Sequence, residues 1–327
     1  MIKYINLMGI RNLNKLINKK CKDIIIKYKL KELENKTIVV DISIYLYKYK
    51  SYTNLFGYMY NMLMLFKKYN IYPIFIFDGK SPDEKKFLIE QRKKEKKMNE
   101  IEIKNIEKSI NNYKINIDKL NSKLLLLKKK VVKINKYDIN NIKILFNMCN
   151  ILYFDAEGEA DFLCAELVKK NIAWACLSED TDLFVYNCTR VLKNLDIINE
   201  TVLFYDTSKI LNKLKLNINE FRMICVVSGT DYFNNKCKNY NINYILNLYN
   251  EYKTENILDN TCHFYKWLYN KNIILEYILL FYIELIFSYE NINLNKYINK
   301  LNEKKVFDIN NNNAMVFLKN YNFIFIN

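Results

Sequence analysis

The sequence predicts an α/β protein in which a parallel sheet is flanked by helices. Short apolar runs of strand length recur along the chain, segments of helical periodicity separate them, and acidic residues stand at their ends. The four runs are TIVVD, IYPIFIFD, ILYF and IAWACLS, at residues 37–41, 71–78, 151–154 and 172–178. Apolar runs joined by crossover helices are typical of buried parallel strands.

The composition allows a full α/β core and favours a polyanionic partner. The 327 residues are 50% hydrophobic, and 51 Lys and Arg against 35 Asp and Glu give a formal net charge of +16. A strongly basic chain is the electrostatic signature of nucleic-acid binding. The chain is also rich in Lys, Asn, Ile and Tyr and has only 5 Gly and 2 Pro, which is typical of an A+T-rich genome. The charge alone therefore does not establish the partner.

Several classes of protein are disfavoured. Eight cysteines without a CxxC pair predict reduced core thiols rather than a disulfide framework or a zinc site. The single histidine, His263, lies among aromatic residues and is predicted to be structural. The longest apolar stretch, Ile273–Tyr289, contains Glu276 and Glu284, and acids are costly within a bilayer. We therefore predict a buried helix there and no membrane segment.

The first elements give two acids at strand ends. Residues 8–19 carry apolar side chains at helical spacing behind Gly9. A β-branched run then ends at Asp41, and a predicted helix at residues 52–68 leads to a second run that ends at Asp78. Parallel strands joined by such a crossover place Asp41 and Asp78 at one edge of the sheet.

Residues 83–136 predict a helical protrusion with a basic base, because the chain must return to the sheet at Ile151. Leading basic residues are followed by apolar side chains that alternate in steps of four and three, the spacing of a helix pair. A dimerising coiled coil is the alternative. The basic residues are Lys85, Lys86, Arg92, Lys93, Lys94, Lys96 and Lys97. The apolar residues are Ile106, Ile110, Tyr113, Ile117, Leu120, Leu124, Leu127 and Val131.

The segment 155–182 has the highest density of acids. Glu157, Glu159 and Asp161 open a predicted amphipathic helix, and Glu179, Asp180 and Asp182 follow the next strand. Acids so close together repel one another unless a cation lies among them, and Mg²⁺ or Mn²⁺ prefers such oxygen ligands. A solvated acidic helix start is the alternative for either cluster taken alone.

The remaining chain predicts a short antiparallel edge from LFVY, RVLKN and TVLFYD, followed by a helix at 218–233 that stops at Gly229 just before Asp231. Beyond it the chain is helical and aromatic. We divide it into a core at 1–233, made of 8–82, the insertion 83–136 and 137–233, and a helical C-terminal part at 234–327 that is packed on the core.

Six blocks in order resemble the flap endonuclease/XPG superfamily of structure-specific 5′ nucleases. They are MGIRNL, VVDISIYLY, IFIFDGKSP, EGEADFLCA, SEDTDLF and VSGTDYF, spread over residues 8–233. The resemblance implies a PIN-like parallel α/β sheet with a helical arch inserted where the basic stretch lies. The chain looks most like the divergent flap-nuclease-like proteins of poxviruses and other large DNA viruses.

The resemblance also implies roles for individual residues. Lys85 and Arg92 match the arch-base cations, Tyr47 the tyrosine that stacks on a base, and Gly9 the first glycine, with Asn12 in place of the second. Lys86, Lys93, Lys94, Lys96 and Lys97 would contact DNA. For Lys85 and Arg92 the alternative is a solvated helix face, and for Tyr47 it is core packing. The acids that would hold two Mg²⁺ ions, for which Mn²⁺ can substitute, are Asp41, Asp78, Glu159, Asp161, Asp180, Asp182 and Asp231.

The sequence departs from the family pattern at two places that bear on the binding of DNA and of protein partners. The family's glycine-rich hairpin after SGTDY is absent from FNNKCKNYNINYIL, and no sliding-clamp box is found near the end. We expect a monomeric nuclease that acts on DNA 5′ flaps, nicks or ends in replication, recombination or repair. It would work at a cytoplasmic viral replication site, or in the nucleus of a cellular host. A PIN-type ribonuclease, a catalytically weak DNA-binding or assembly protein, and a coiled-coil interaction protein are the alternatives.

Overall fold

The structure, a computed structural model, describes residues 9–52, 54–112, 117–232, 240–255, 262–289, 293–302, 312–321 and 323. Residues 233–239, in the stretch where the sequence lacks the family's glycine-rich hairpin, lie outside the described residues, as do Cys237 and Tyr113. The strands are β1 Ile26–Lys29, β2 Thr37–Asp41, β3 Tyr72–Phe77, β4 Leu152–Asp155, β5 Ala175–Leu177, β6 Arg190–Asp196 and β7 Thr201–Asp206. The first helices are α1 Leu13–Lys20, α2 Ile42–Lys50, α3 Leu55–Lys68, α4 Lys86–Asn112, α5 Ile117–Lys130, α6 Lys136–Met148, α7 Ala160–Lys169 and α8 Asp182–Val185. They are followed by α9 Thr207–Leu214, α10 Ile218–Ser228, α11 Ile242–Glu255, α12 Phe264–Asn270, α13 Ile278–Ser288, α14 Asn295–Asn302 and α15 Asn312–Lys319.

One mixed sheet of seven strands runs through the molecule in the order β1-β7-β6-β5-β2-β3-β4. The strands from β6 to β4 are parallel, whereas β7 pairs antiparallel with both β6 and β1. The predicted parallel sheet and its antiparallel edge are confirmed. The sequence did not predict β1, because its residues IKYK are largely exposed and give no buried apolar run.

Each face of the sheet has its own core, because side chains alternate along a strand. On β2, Val39 faces the core formed with α1, α7 and α10, and Val40 faces the core formed with α2, α3 and α6. The seven cysteines that the structure describes are free thiols, and six of them are buried. The predicted core cysteines are therefore confirmed over this part of the chain.

The insertion forms an antiparallel pair of helices, α4 and α5, that carries its own small core. Ile103, Ile106 and Leu127 are buried there. The ion pairs Lys123–Glu102 and Lys128–Glu107 flank this seam. The predicted helical protrusion is confirmed, and we call α4 and α5 together the arch.

Two local predictions were wrong, and one helix was missed. The predicted helix at 52–68 is α3, which begins at Leu55, and the missed helix is α2, which begins directly after Asp41. LFVY is the short helix α8 and not a strand, because a four-residue apolar run does not distinguish the two. The stretch 273–289 is helical only from Ile278, and just one face of it is buried.

Asparagine takes the backbone conformation that usually requires glycine. Of the ten non-glycine residues with positive φ in the described ranges, eight are asparagines. They are Asn12, Asn35, Asn70, Asn150, Asn171, Asn187, Asn194 and Asn272. Asparagine tolerates the left-handed region better than other residues with a side chain.

Packing brings the C-terminal segment back to the core. Tyr321 lies 4.2 Å from Phe56 of α3 between ring centroids, and its hydroxyl is 2.7 Å from that of Tyr137. Ala314 and Leu318 of α15 are buried against the same face of the sheet. Within the described ranges no helix is both long and apolar enough to span a bilayer.

Candidate active site

The site lies at the carboxyl ends of four adjacent parallel strands, β5, β2, β3 and β4. Asp41 is the last residue of β2 and caps α2, since its carboxylate accepts a hydrogen bond from the Ser43 amide at 3.1 Å. Asp78 directly follows β3. Glu159 and Asp161 begin α7 after β4, and Asp180 and Asp182 begin α8 after β5. The topology therefore collects acids that lie far apart in the chain.

Two serines connect the acids of different strands. Ser178 Oγ donates to Asp41 Oδ2 at 2.8 Å and accepts from the Asp180 amide at 3.1 Å. Ser43 Oγ donates to Asp78 Oδ2. The ends of β5, β2 and β3 are thus held together by hydrogen bonds between side chains and backbone.

The loop between β4 and α7 is fixed to the end of β3. The Ala160 amide donates to Asp78 Oδ1 at 2.9 Å, and the Gly79 amide donates to the Gly158 carbonyl at 2.7 Å. A Cβ on Gly79 would lie 2.0 Å from the Ala156 carbonyl oxygen, so only glycine fits at this position. This contact places Glu159 and Asp161 beside Asp78.

Three acids, Asp78, Glu159 and Asp231, are bonded to donors near the surface, and we call them the outer acids. Glu159 forms an ion pair with Lys85 at 2.8 Å and accepts a hydrogen bond from the Tyr232 hydroxyl at 2.7 Å. Asp231 forms an ion pair with Arg92 at 2.8 Å. Two cations at the base of the arch, Lys85 and Arg92, therefore pair with two of these acids.

Four acids, Asp41, Asp161, Asp180 and Asp182, are the inner acids, and they form no ion pair with any described side chain. Asp161 Oδ1 and Asp182 Oδ1 are buried and accept no hydrogen bond from the described residues. Burial, followed by the charge of Asp180, raises the pKa of Asp161 and that of Asp182 well above their usual range. Burial and the charge of Asp78 raise the pKa of Asp41 to about 8.

Lys85 is buried against the acid cluster and does not lie on a solvated helix face. Its side chain is about 10% exposed, and its Nζ lies 4.4 Å from the ring centroid of Tyr232. Burial acts to lower the pKa of Lys85, but the charges of Asp182 and Glu159 outweigh it and raise the pKa. The alternative of a solvated face is therefore wrong for Lys85, whereas the Arg92 side chain is 41% exposed.

The other arch cations are mainly at the surface. Lys93, Lys94 and Lys97 are exposed, and Lys86 pairs with Asp83 at 3.1 Å. Lys96 is half-buried and donates to the Val132 carbonyl, which links α4 to the end of the arch.

Two further predicted residues lie at the edges of the site. Tyr47 is 48% exposed, so core packing does not explain it, and burial together with the charge of Asp78 raises its pKa. Gly9, with φ of +76°, lies against the inner acids, because a Cβ on it would be 2.2 Å from Asp180 Oδ1 and 2.8 Å from Asp182 Oδ1. Asn12 has a φ of 61°, so it adopts a glycine-like conformation at the position where the second glycine was expected.

Several residues that support the acids were missed from the sequence. Tyr232 holds Glu159 and also contacts the Tyr186 hydroxyl at 2.8 Å. Lys193 is buried on β6 and donates to the Glu179 carbonyl at 2.8 Å, and burial lowers its pKa. Glu179 itself points to the Asn194 amide, at 2.6 Å. Tyr232 lies in the motif VSGTDYF and Glu179 in SEDTDLF, whereas nothing in the β6 sequence distinguishes Lys193 from a surface lysine.

The donor set fits a hard divalent cation. It consists of carboxylate oxygens, two of them buried without a partner among the described residues, which is the ligand type that Mg²⁺ and Mn²⁺ prefer. Among the described residues, no three His, Cys, Asp or Glu side chains are grouped closely enough to hold a metal ion by themselves. Mg²⁺ does not require a complete set of protein ligands, because it keeps several waters and binds through one or two carboxylates together with substrate phosphates.

A rim of carboxylates beside a basic pair of helices is typical of phosphodiesterases that use divalent metal ions. Residues 8–99 match the XPG N-terminal domain and residues 150–231 match the XPG I-region. Together the two matches cover more than half of the chain. The chain belongs to the XPG/flap endonuclease superfamily of nucleases.

Curated relatives agree with this assignment. A probable RAD2-like endonuclease of Invertebrate iridescent virus 6 is 29% identical, over 70% of this chain and 68% of the relative. Flap endonuclease 1 of Theileria parva is 28% identical, over 69% of this chain but only 47% of the relative. The chain therefore spans about half the length of that flap endonuclease.

Solved structures share the fold. The catalytic core of Rad2 in complex with DNA substrate superimposes with a TM-score of 0.59 at 19% identity, covering 98% of this chain and 82% of that one. The Holliday junction-resolving enzyme GEN1 in complex with product DNA and Mg²⁺ gives a TM-score of 0.62 at 14% identity, covering 93% and 71%. At such identities the likeness concerns the fold.

Proposed function

We propose that the protein is a Mg²⁺-dependent, structure-specific 5′ nuclease that hydrolyses DNA at 5′ flaps, nicks or ends, in replication, recombination or repair, in a large DNA virus. One observation carries the proposal: the seven acids at the rim of the sheet lie close enough for their charges to act on one another, and two of them pair with cations at the arch base. Relatives of the same fold solved with DNA and with Mg²⁺ support it.

The seven acids are the proposed metal ligands. Asp41, Asp78, Glu159 and Asp161 would hold one ion, and Asp180, Asp182 and Asp231 would hold a second. When bound, two such ions would activate a water and stabilise the leaving oxygen of a phosphodiester.

The chain's own side chains would orient the substrate. Lys85 and Arg92 are cations at the boundary between the acids and the arch, so they are placed to bind a phosphate that enters there. Half-exposed Tyr47 lies close enough to Asp78 and Arg92 to feel their charges, and its ring is available to stack on a terminal base. Lys93, Lys94 and Lys97 would contact the DNA backbone farther along the arch.

The test is cleavage of a labelled panel of flap, nicked, gapped, blunt and single-stranded DNA, together with a matched RNA flap, in Mg²⁺ and in EDTA. We expect Mg²⁺-dependent cleavage of the flap. Asp180→Ala and Asp78→Asn should each abolish it while DNA binding in a mobility-shift assay remains measurable. Turnover retained in either variant would contradict the assignment of the acids, and preference for the RNA flap would indicate a ribonuclease.

A further inference from the structure

Lys193 of β6 is a buried lysine to which the proposed mechanism gives no role. It is 3% exposed, and Lys85 is the other buried lysine among the described residues. Lysine is almost never fully buried unless its ammonium group is bonded, because removing the charge from water is costly. The partners of Lys193 therefore indicate what the residue does.

The ammonium group of Lys193 joins three parts of the fold. Its Nζ donates to the Glu179 carbonyl at 2.8 Å and to Asn14 Oδ1 at 3.2 Å. The same Nζ lies 5.7 Å from the ring centroid of Phe184 in α8. Lys193 thus links β6 to α1 and to the turn between β5 and α8.

The bond to the Glu179 carbonyl fixes the peptide group that directly precedes Asp180. Because a peptide group is planar, the direction of this carbonyl determines the backbone from which the Asp180 carboxylate projects. The side chain of Glu179 is held as well, since the Asn194 amide donates to its Oε1 at 2.6 Å. Two successive residues of β6, Lys193 and Asn194, therefore hold the Glu179–Asp180 turn.

Lys193 approaches the inner acids from the sheet, whereas Lys85 approaches the cluster from the arch base. Burial lowers the pKa of Lys193, and the charges of Glu179, Asp180 and Asp161 oppose this shift. The ammonium group is thus close enough to the inner acids for their charges to act on it, although its hydrogen bonds go to a carbonyl and an amide oxygen.

We propose that Lys193 is a positioning residue: by its bond to the Glu179 carbonyl it holds the Asp180 carboxylate in place for a divalent cation. Ligands must be held to within about 0.5 Å, and residues behind them commonly do this. The charge of Lys193 has the opposite effect, because a cation near the acids repels a metal ion. Replacing Lys193 therefore weakens metal binding only if positioning dominates. The inference rests on the metal site of the proposed function.

The experiment measures Mn²⁺ binding without DNA, by electron paramagnetic resonance of the free ion. The full chain is first freed of metal with EDTA and then dialysed. We expect Lys193→Met to weaken the binding of one ion at least about tenfold, which is the usual loss when a residue that orients a metal ligand is removed. Lys27→Met, at an exposed lysine on β1, is the matched control and should bind like the parent. Binding by Lys193→Met that equals or exceeds that of the parent would overturn the proposal.

A double-mutant cycle tests whether Lys193 acts through Asp180. Adding Lys193→Met to Asp180→Asn should weaken Mn²⁺ binding no further than Asp180→Asn alone, because the ligand that Lys193 positions is already lost. Losses that add would show a general effect on packing and would refute the inference. Lys193→Gln, whose amide ends one bond short of the ammonium position, serves the same cycle where Lys193→Met does not fold.

Flap cleavage separates a failure of this inference from a failure of the proposed function. A parent protein that cleaves the flap, together with a Lys193→Met variant that binds Mn²⁺ normally, would contradict the inference alone. A parent that binds Mn²⁺ in the expected way but cleaves no DNA would contradict the proposed function and leave the role of Lys193 supported. A parent that binds no Mn²⁺ would overturn both.

Discussion

The inner and outer acids are the same kind of side chain at the same rim, but they are neutralised differently. The outer acids Glu159 and Asp231 are paired with arch cations, at 2.8 Å in both cases. The inner acids have serine hydroxyls, backbone amides and one another, and the pKa of each is raised chiefly by burial. The arch therefore stabilises the outer acids, whereas the inner acids gain stability from protonation or from an added cation.

Removing one inner charge should have the largest effect and should separate activity from stability. We expect Asp182→Asn to reduce flap cleavage by more than about a thousandfold, because a proposed ligand is lost. The same change should raise the thermal midpoint of the EDTA-treated protein at pH 8 by a few degrees, since a buried repulsion is removed. Asp231→Asn is the outer counterpart and should lower that midpoint slightly. A lower midpoint for Asp182→Asn would contradict the comparison.

The second prediction concerns the cation that joins the two groups. Lys85→Met leaves Glu159 without its partner in a mostly buried position, so we expect a loss of about 3–5 kcal/mol in the free energy of unfolding. Turnover should fall by roughly a hundredfold or more if Lys85 binds the scissile phosphate. Lys86→Met is the matched control, because its pair with Asp83 is exposed and contributes about 1 kcal/mol or less. Urea unfolding and single-turnover cleavage measure the two effects.

The third prediction follows from the raised pKa of the inner acids. The folded protein holds their protons more tightly than the unfolded chain, so the stabilisation by protonation is complete below the unfolded value and is lost as pH rises. For Asp41 this interval extends from 3.8 to about 8. The thermal midpoint in EDTA should therefore fall between pH 5 and pH 8, and Mg²⁺ should flatten the curve. Asp41→Asn should reduce the slope, and a midpoint that rises with pH would contradict the assignment.

The smallest effect is expected from the exposed arch. Lys93→Gln, Lys94→Gln and Lys97→Gln should each leave the thermal midpoint unchanged. Each should lower the slope of log affinity for flap DNA against log salt by about 0.7–0.9, provided that the lysine contacts one phosphate. Lys27→Gln, on edge strand β1, is the control and should not change the slope. Unchanged slopes for all three arch variants would show that this face of the arch does not contact DNA.

The sequence predicted the convergence of the acids because each acid is fixed by a local rule. Asp41 and Asp78 end apolar runs, and parallel strands end at one edge, so their proximity needed no tertiary detail. The division into inner and outer acids could not be predicted in this way. It depends on tertiary packing that pairs Lys85 with Glu159 but leaves the neighbouring Lys86 paired with Asp83 at the surface, although both lysines lie in the same basic stretch.

The features that the sequence did not predict were also missed for physical reasons. Helix α2 follows β2 without a break, and its residues ISIYLYKYK combine β-branched and aromatic side chains that favour a strand. The start of the helix is marked by its N-cap, where the Asp41 carboxylate accepts a hydrogen bond from the Ser43 amide. Lys193 is buried because β6 is central in the sheet, and a single strand's sequence does not reveal its neighbours. The C-terminal contact of Tyr321 with Phe56 likewise joins segments more than 260 residues apart.

The asparagines with positive φ bear on the stability of the turns in a chain that has few glycines. A residue with a side chain is strained in the left-handed region, where glycine is not. Exchanging the asparagines for glycine would relieve this strain at eight positions but would also make the unfolded chain more flexible, so the two effects oppose each other. A chain poor in glycine therefore keeps its tight turns with little loss of stability.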